Sequence, residues 1–86
     1  MMPDEIQILK SAQRSLAKVA PRERARIISA VRALAHKPRP KGAVKLSGRE
    51  AWRIRVGDYR VIYEILDKTL TITVIALGPR ATIYRP

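Results

Sequence analysis

The sequence predicts an α+β domain: a small, mainly antiparallel sheet of about four to five strands with two N-terminal helices packed on one of its faces. Three observations carry that prediction. Two β-branched, aromatic-rich runs flank Gly57-Asp58, a two-residue link suited to a tight hairpin spanning about residues 51–66. Before the hairpin, apolar residues recur at helical spacing; after it, Leu70 to Ala76 alternates Leu/Thr/Ile/Thr/Val as a third long strand. A helical half followed by a run of strands is the pattern of helices segregated to one face of a sheet.

Each element has its own signal. Glu5 to Leu9 is short and apolar enough for a first strand. Ala12, Leu16 and Val19 recur at i, i+4 and i+7, which predicts a short amphipathic helix from Ser11. Pro21 suits the first position of a second helix, and Glu23 sits in its first turn, where a carboxylate favours the helix dipole. Ile27, Ile28, Val31, Leu34 and Ala35 form that helix's apolar stripe, with Arg22, Arg24, Arg26 and Arg32 away from its centre. The helix is expected to end near His36, because Pro38 and Pro40 follow in the basic connector Lys37–Gly42. Val44-Lys45-Leu46 predicts a brief strand before a Ser47-Gly48 turn. Asp67-Lys68 marks a second tight turn, Gly78-Pro79 is expected to break the third long strand, and Ala81 to Tyr84 to resume an extended path. The whole chain, residues 1–86, reads as one domain with no repeat and no low-complexity segment.

The hairpin holds the most information. Counting outward from the turn, Val56 faces Tyr59, Arg55 faces Arg60, Ile54 faces Val61 and Trp52 faces Tyr63. Side chains alternate across a strand, so Trp52, Ile54, Val56, Tyr59, Val61 and Tyr63 share one apolar face. Arg53, Arg55 and Arg60 share the other, joined by Thr71, Thr73 and Ile75 of the next strand. Two guanidinium charges about 5.5 Å apart repel by about 0.8 kcal/mol in water and about 3 kcal/mol at an effective dielectric of 20. Folding needs the apolar face and gains nothing from the basic one. With helices over the apolar face, the three arginines are expected to stay open to solvent as a trap for phosphate, the anion that planar Arg forks recognise well.

Composition narrows the function. The 86 residues carry 18 Lys and Arg against 7 Asp and Glu, a formal charge of +11, which points to a polyanionic partner such as RNA, DNA or an acidic protein. No apolar run approaches the length of a membrane span, no signal-peptide pattern opens the chain, and no amphipathic helix carries bulky insertion residues. A membrane partner is therefore not expected. The absence of cysteine excludes disulfides and thiolate metal sites and suits a reducing cytoplasm. One histidine, His36, leaves no zinc site of ordinary composition and is expected to complement the dipole at a helix C-terminus. No Gly-rich loop opens a helix and no carboxylate cluster suggests a two-metal nuclease, so no metal or cofactor is expected. Strand order is expected to bring Arg80 and Tyr84 near Arg60, where the Tyr84 ring offers a surface for stacking an unpaired base. Composition and periodicity reach a phosphate-binding basic sheet.

Lys45-Leu-Ser-Gly48, the block Trp52-Arg-Ile-Arg-Val-Gly-Asp-Tyr-Arg-Val-Ile-Tyr63, Gly78-Pro-Arg80 and Tyr84-Arg85 together resemble the RelE/ParE superfamily of bacterial toxins, specifically the RelE branch. The resemblance covers nearly the whole chain and implies the RelE-like microbial RNase fold. It also implies a metal-independent mRNA endoribonuclease acting on the ribosome, in which the ribose 2′-hydroxyl attacks the adjacent phosphodiester and leaves a 2′,3′-cyclic phosphate. On that pattern Arg53 and Arg55 fall on the basic pair of the first hairpin strand. Arg60 falls on the residue that stabilises the extra phosphate charge, Arg80 on the one that assists the leaving 5′-oxygen, and Tyr84 on the one that orients a base. Lys45, Arg49 and Arg85 are expected to add RNA contacts. The implied partners are a cognate antitoxin that blocks the site, the ribosome and its message, and operator DNA bound through the antitoxin.

Two departures stand out. Many relatives carry His just before the final Arg, where this chain has Pro79, and Arg replaces Lys at both positions of the basic pair. Arg does not deprotonate in proteins, so rate enhancement is expected to come from positioning and electrostatics, in a weak or partner-dependent enzyme. Two further readings stay open on the same fold: a ParE-like toxin that inhibits DNA gyrase without cutting RNA, and a basic binding module without toxicity.

Overall fold

The chain enters its sheet twice, once before the helices and once after them. A computed structural model describes residues 5–48, 50–69 and 71–79. Strand β1 (Glu5–Ile8) leads into helices α1 (Lys10–Ala17) and α2 (Pro21–Ala33), and strands β2 (Val44–Lys45), β3 (Ala51–Val56), β4 (Tyr59–Leu66) and β5 (Thr71–Pro79) follow. The sheet order is β1-β5-β4-β3-β2. Neighbours are antiparallel except β1 and β5, which run parallel because the two helices intervene before the chain returns to the sheet. None of the described helices is long and apolar enough to cross a membrane.

An eight-residue helix does not hold itself together in water, and α1 is fastened at both ends. The Leu9 N–H donates to the Val74 carbonyl at 3.0 Å, and the Gln13 amide reaches back to the Ile8 carbonyl at 2.8 Å. At the other end Arg24 of α2 turns toward α1 and donates to the Val19 and Ala17 carbonyls at 3.0 and 3.4 Å. Arg24 is thus half-buried and tied to the preceding corner, unlike the solvent-facing role its position on the helix wheel suggests. Pro21 opens α2 as expected. Past Ala33 the N–H groups of Leu34, Ala35 and His36 bond three residues back, a tightened last turn that closes the helix where the prolines require it.

Ile27 and Val31 of α2, with Leu34 just past its end, meet Ile54, Val56, Val61, Tyr63, Ile72, Val74 and Leu77 of the sheet in one core. The hairpin register is the one the sequence predicts, Val56 with Tyr59 through Trp52 with Tyr63. Gly57 takes φ +60° in the turn, and a Cβ there would lie 3.2 Å from the Glu23 carboxylate of α2.

Strand β5 departs from expectation in two ways. It continues through Gly78 and Pro79, which pair with Arg60 and Tyr59. Beyond Val74 it has no β1 partner on its outer flank, and proline is tolerated on such an edge. The register also shifts between Ile62 and Tyr63: Tyr63 pairs with Val74 but Ile62 with Ala76, leaving Ile75 as the extra residue of a bulge. Alternation beyond Ile75 is therefore reset by one residue. The shift sends Leu77 into the core and sets Ala76 and Gly78 beside Ile62 and Arg60.

The connector after α2 is clamped to the sheet. Tyr63, fully buried, donates its hydroxyl to the Pro38 carbonyl at 2.7 Å. Arg39 forks onto Asp67 at 3.1 and 3.4 Å, with its guanidinium 5.2 Å from the centre of the Trp52 ring. Burial pushes the Tyr63 phenol up to about 12, opposed in part by the Arg39 charge.

Tyr63→Phe is expected to lower stability by about 0.5–1.5 kcal/mol at neutral pH, the value of one such bond. Because the folded-state pKa lies above the ordinary 10, the phenol's contribution is complete below pH 10 and is lost as pH rises toward 12. The stability gap between wild type and Tyr63→Phe should therefore narrow over that interval in urea titrations. Gly57→Ala is expected to cost about 1–2 kcal/mol, the penalty of a Cβ at positive φ. A denaturation midpoint equal to that of wild type would contradict the turn geometry.

Candidate nucleic-acid interface

Register alone assembles the basic face. Arg55 lies directly opposite Arg60 on the β3–β4 pair, and Arg53, two residues back on β3, lies opposite Ile62. On the far side of β4, Gly78 stands opposite Arg60, Ala76 opposite Ile62 and Thr73 opposite Glu64. Both helices cover the other face, so this surface has three arginines from two adjacent strands beside the small residues of a third.

The three arginines are not equally accessible. Arg55 is exposed, Arg53 is half-buried, and Arg60 is only 5% exposed. The expectation that all three lie open to solvent is therefore corrected. Arg60 sits on β4, flanked on both sides by other strands, so its neighbours cover the stem that an edge position would leave bare. Arg53 and Arg60 are each engaged in further interactions. An anion approaching the face meets Arg55 first and Arg60 last. Charge interactions strengthen as the surroundings become less polar, so the innermost position is the one where a fixed positive charge acts most strongly on a phosphate.

The other candidate residues separate. Lys45 pairs with Trp52, which puts it on the side of the sheet that the helices cover, and its ammonium lies 3.3 Å from the Glu50 carboxylate. It does not join the arginine array. Arg49, Arg80, Tyr84 and Arg85 lie outside the described residues, as does the expected extended path of Ala81 to Tyr84. Pro79, the residue before Arg80, pairs with Tyr59 next to Arg60.

One cleft was not legible from spacing. His36, exposed at the end of α2, lines a cleft of about 440 Å³ together with Lys37, Lys41 and Arg55, over a floor that includes Leu34, Pro40 and Ile54. The link depends on how the connector folds back across β3, which helix periodicity and strand alternation do not encode.

Residues 6–84 match the family model of the ParE toxin of the type II toxin–antitoxin system, parDE. Among solved structures, the chain is similar to one in the archaeal RelE–RelB complex from Pyrococcus horikoshii, at 29% identity and TM-score 0.83 over 94% of this chain and 99% of that one. The toxin–antitoxin complex RelBE2 from Mycobacterium tuberculosis gives 24% identity and TM-score 0.80 over 92% and 100%. The YoeB/ParE toxin from Agrobacterium tumefaciens gives 17% and 0.77 over 88% and 98%. The last two likenesses speak for the fold. No curated protein matches the chain at a comparable level. With a family match that takes in the helices, the hairpin and its arginine face, the chain belongs to the RelE/ParE superfamily, as a toxin of the type II toxin–antitoxin kind.

Proposed function

We propose that this toxin is a RelE-like endoribonuclease that cuts message on the ribosome without a metal ion. The observation that carries the reading is the Arg55–Arg60 pair, two like charges set directly opposite each other with Arg53 beside them. Like-charge cross-strand pairs oppose folding, and a phosphodiester on this face would offset their repulsion. In the reaction the ribose 2′-oxygen forms a bond to phosphorus and loses its proton, and the P–O5′ bond breaks. The 5′-oxygen takes up a proton, leaving a 2′,3′-cyclic phosphate.

Arg55 and Arg53 hold the phosphate and its flank, and Arg60 offsets the charge that grows on the non-bridging oxygens. Arg80 acts on the leaving oxygen and Tyr84 on a base, roles carried by family resemblance. Arg49 and Arg85 contact neighbouring phosphates. None of the arginines is a neutral base at ordinary pH, so the chain contributes charge and alignment while the ribosome holds the message in an attack-ready shape.

A cognate antitoxin is the natural partner, since several similar chains come from RelE–RelB complexes. An acidic antitoxin segment over Arg53, Arg55 and Arg60 would exclude RNA, and operator DNA would be bound through the antitoxin. A cytoplasmic setting follows from a ribosomal target.

The second reading, inhibition of DNA gyrase, is favoured by the parDE description of the family model. Mapping 5′ ends of messages after brief induction separates the two. The first reading expects new ends confined to translated regions, and purified gyrase unaffected in supercoiling assays. Inhibited supercoiling with no new message ends would replace it with the second.

Arg55→Gln sharpens the assignment, because Arg55 is exposed and its removal leaves no hole. Cleavage is expected to fall about 100-fold or more, the scale of losing one preorganised donor, while the melting temperature holds or rises as repulsion is relieved. Arg60→Ala is a poorer test than its place in the family pattern suggests, since it empties a buried position. Undiminished cleavage by folded Arg55→Gln would remove the arginine face from the mechanism.

A further inference from the structure

The cations of the connector and the neighbouring strands fall into two sets. Arg39 meets Asp67 at 3.1 Å and Lys45 meets Glu50 at 3.3 Å. Among the described residues no ion pair engages Lys37, Lys41 or Arg55. These three border the cleft of about 440 Å³ at the end of α2, with His36 on the same rim and no acidic residue in its lining. Arg55 belongs both to this cleft and to the arginine face. β2 pairs with β3 at Arg53 and Trp52 only, which leaves the flank of β3 bare at Arg55.

The backbone that carries Lys37 and Lys41 is fixed at several points. The Lys37 N–H bonds the Ala33 carbonyl at 3.0 Å, which continues the last turn of α2. Next along the chain come the Tyr63 bond to the Pro38 carbonyl and the Arg39 fork on Asp67. The Ala43 N–H then closes a turn on the Pro40 carbonyl at 2.9 Å, with Gly42 at φ +97°. Cations on a fixed backbone cost less to order around a ligand than cations on a mobile one. The floor is of another kind. Ala30, Leu34, Pro40 and Ile54 are apolar, and Leu34 and Ile54 also belong to the hydrophobic core. A ligand that fits both parts has an apolar-faced body and a concentrated negative charge.

We infer that the cleft binds a free nucleoside 5′-monophosphate, its base on the floor of Leu34, Pro40 and Ile54 and its phosphate held by Lys37, Lys41 and Arg55. The volume lies within the range of small-molecule sites, about 300–1,000 Å³. Apolar side chains are suitable surfaces for the face of a base, and guanidinium and ammonium groups are the usual holders of phosphate. Charge decides among the apolar-bodied anions. A phosphate monoester carries about −1.5 to −2 at pH 7, which three cations can offset, whereas a carboxylate or a backbone phosphodiester carries a single charge. The C-terminal end of α2 adds a partial negative charge of about half a unit, small beside three full positive ones. The inference goes beyond the cleavage reading and shares only Arg55 with it, so a nucleotide in the cleft would compete with a message. Neither product of the proposed cleavage, a cyclic phosphate and a 5′-hydroxyl, is a phosphate monoester. The ligand is therefore a separate molecule.

The test is calorimetric titration of full-length toxin at neutral pH with AMP, its phosphate methyl ester, adenosine and ribose 5-phosphate. The ester carries one charge, adenosine lacks the phosphate and ribose 5-phosphate lacks the base. AMP is expected to bind about tenfold or more tighter than each of the others, the scale of one charge-assisted bond or one buried ring face. Two variants are compared, and an unchanged melting temperature checks that each folds. The double variant Lys37→Gln, Lys41→Gln is expected to weaken AMP about tenfold or more. Ala33→Leu fills the cleft from an exposed position of α2 and keeps every cation, so it should weaken AMP more than ribose 5-phosphate. Wild-type AMP affinity in both folded variants would overturn the inference, as would equal binding of AMP and its methyl ester or of AMP and ribose 5-phosphate. Message cleavage separates the two readings. A toxin that binds AMP as expected but cuts no message keeps the cleft site and loses the cleavage reading; one that cuts message but does not prefer AMP keeps the cleavage reading and loses the site.

Discussion

The register of the β3–β4 hairpin is the constraint on which the rest of the molecule depends. Gly57 supplies a positive φ, the two-residue turn sets Val56 against Tyr59, and every later pair follows from that one. A slip of one residue in β4 against β3 would move Val61 and Tyr63 to the arginine side and send Arg60 toward the core. Burial of Val61 and Tyr63 with essentially no exposure holds the register on one face. Burying even one unpaired guanidinium against α2 would carry a far larger cost than the repulsion among arginines on the outside. The core thus imposes the basic site: what keeps the hairpin in place also holds like charges together.

That arrangement joins stability to function through charge. Arg55 and Arg60 are opposed by geometry, and burial differs between them because β4 lies between β3 and β5, whereas β3 has no β2 partner at Arg55. Solvent screens the outer guanidinium, so it suits capture of a mobile anion. The inner one is held by its surroundings, so it suits a charge that develops during reaction. On the proposed cleavage reading, such a gradient would require little reorganisation when a phosphate arrives, a condition under which fixed charges act strongly on a transition state. The clamp of Arg39 on Asp67 and Trp52, with the Tyr63–Pro38 bond, ties the connector to the back of the same strands and limits their freedom to shear.

Much of this was legible in the residues. Alternation about Gly57-Asp58 specified the hairpin register, Pro21 and Pro38 bounded α2, and the separation of apolar from basic faces followed without further information. Four features were not legible, each because it is set by contacts between elements rather than by periodicity within one. The bulge at Ile75 matches Leu77 to the core while β5 keeps its pairing with β4, a reset that strict alternation does not contain, and the strand runs on through Gly78-Pro79, where a break was expected. The depth of Arg60 depends on strand order, and alternation reports only which face a residue takes. Arg24 on the α1 corner and the cleft that His36 and Arg55 both line depend on how α1 and the connector lie against other elements. Lys45, expected to add an RNA contact, stands across from Trp52, on the other side of the sheet from the three arginines.

The central claim is that this toxin works by fixed charge and alignment rather than by a titrating acid or base. Single-turnover cleavage of ribosome-bound message as a function of pH tests it directly. The account predicts that the logarithm of the rate rises steadily with pH across the range in which histidine titrates, because hydroxide activates the 2′-hydroxyl and the guanidinium charges stay constant. A bell-shaped profile, abolished in His36→Gln, would contradict it and make the histidine that shares a cleft with Arg55 part of the chemistry.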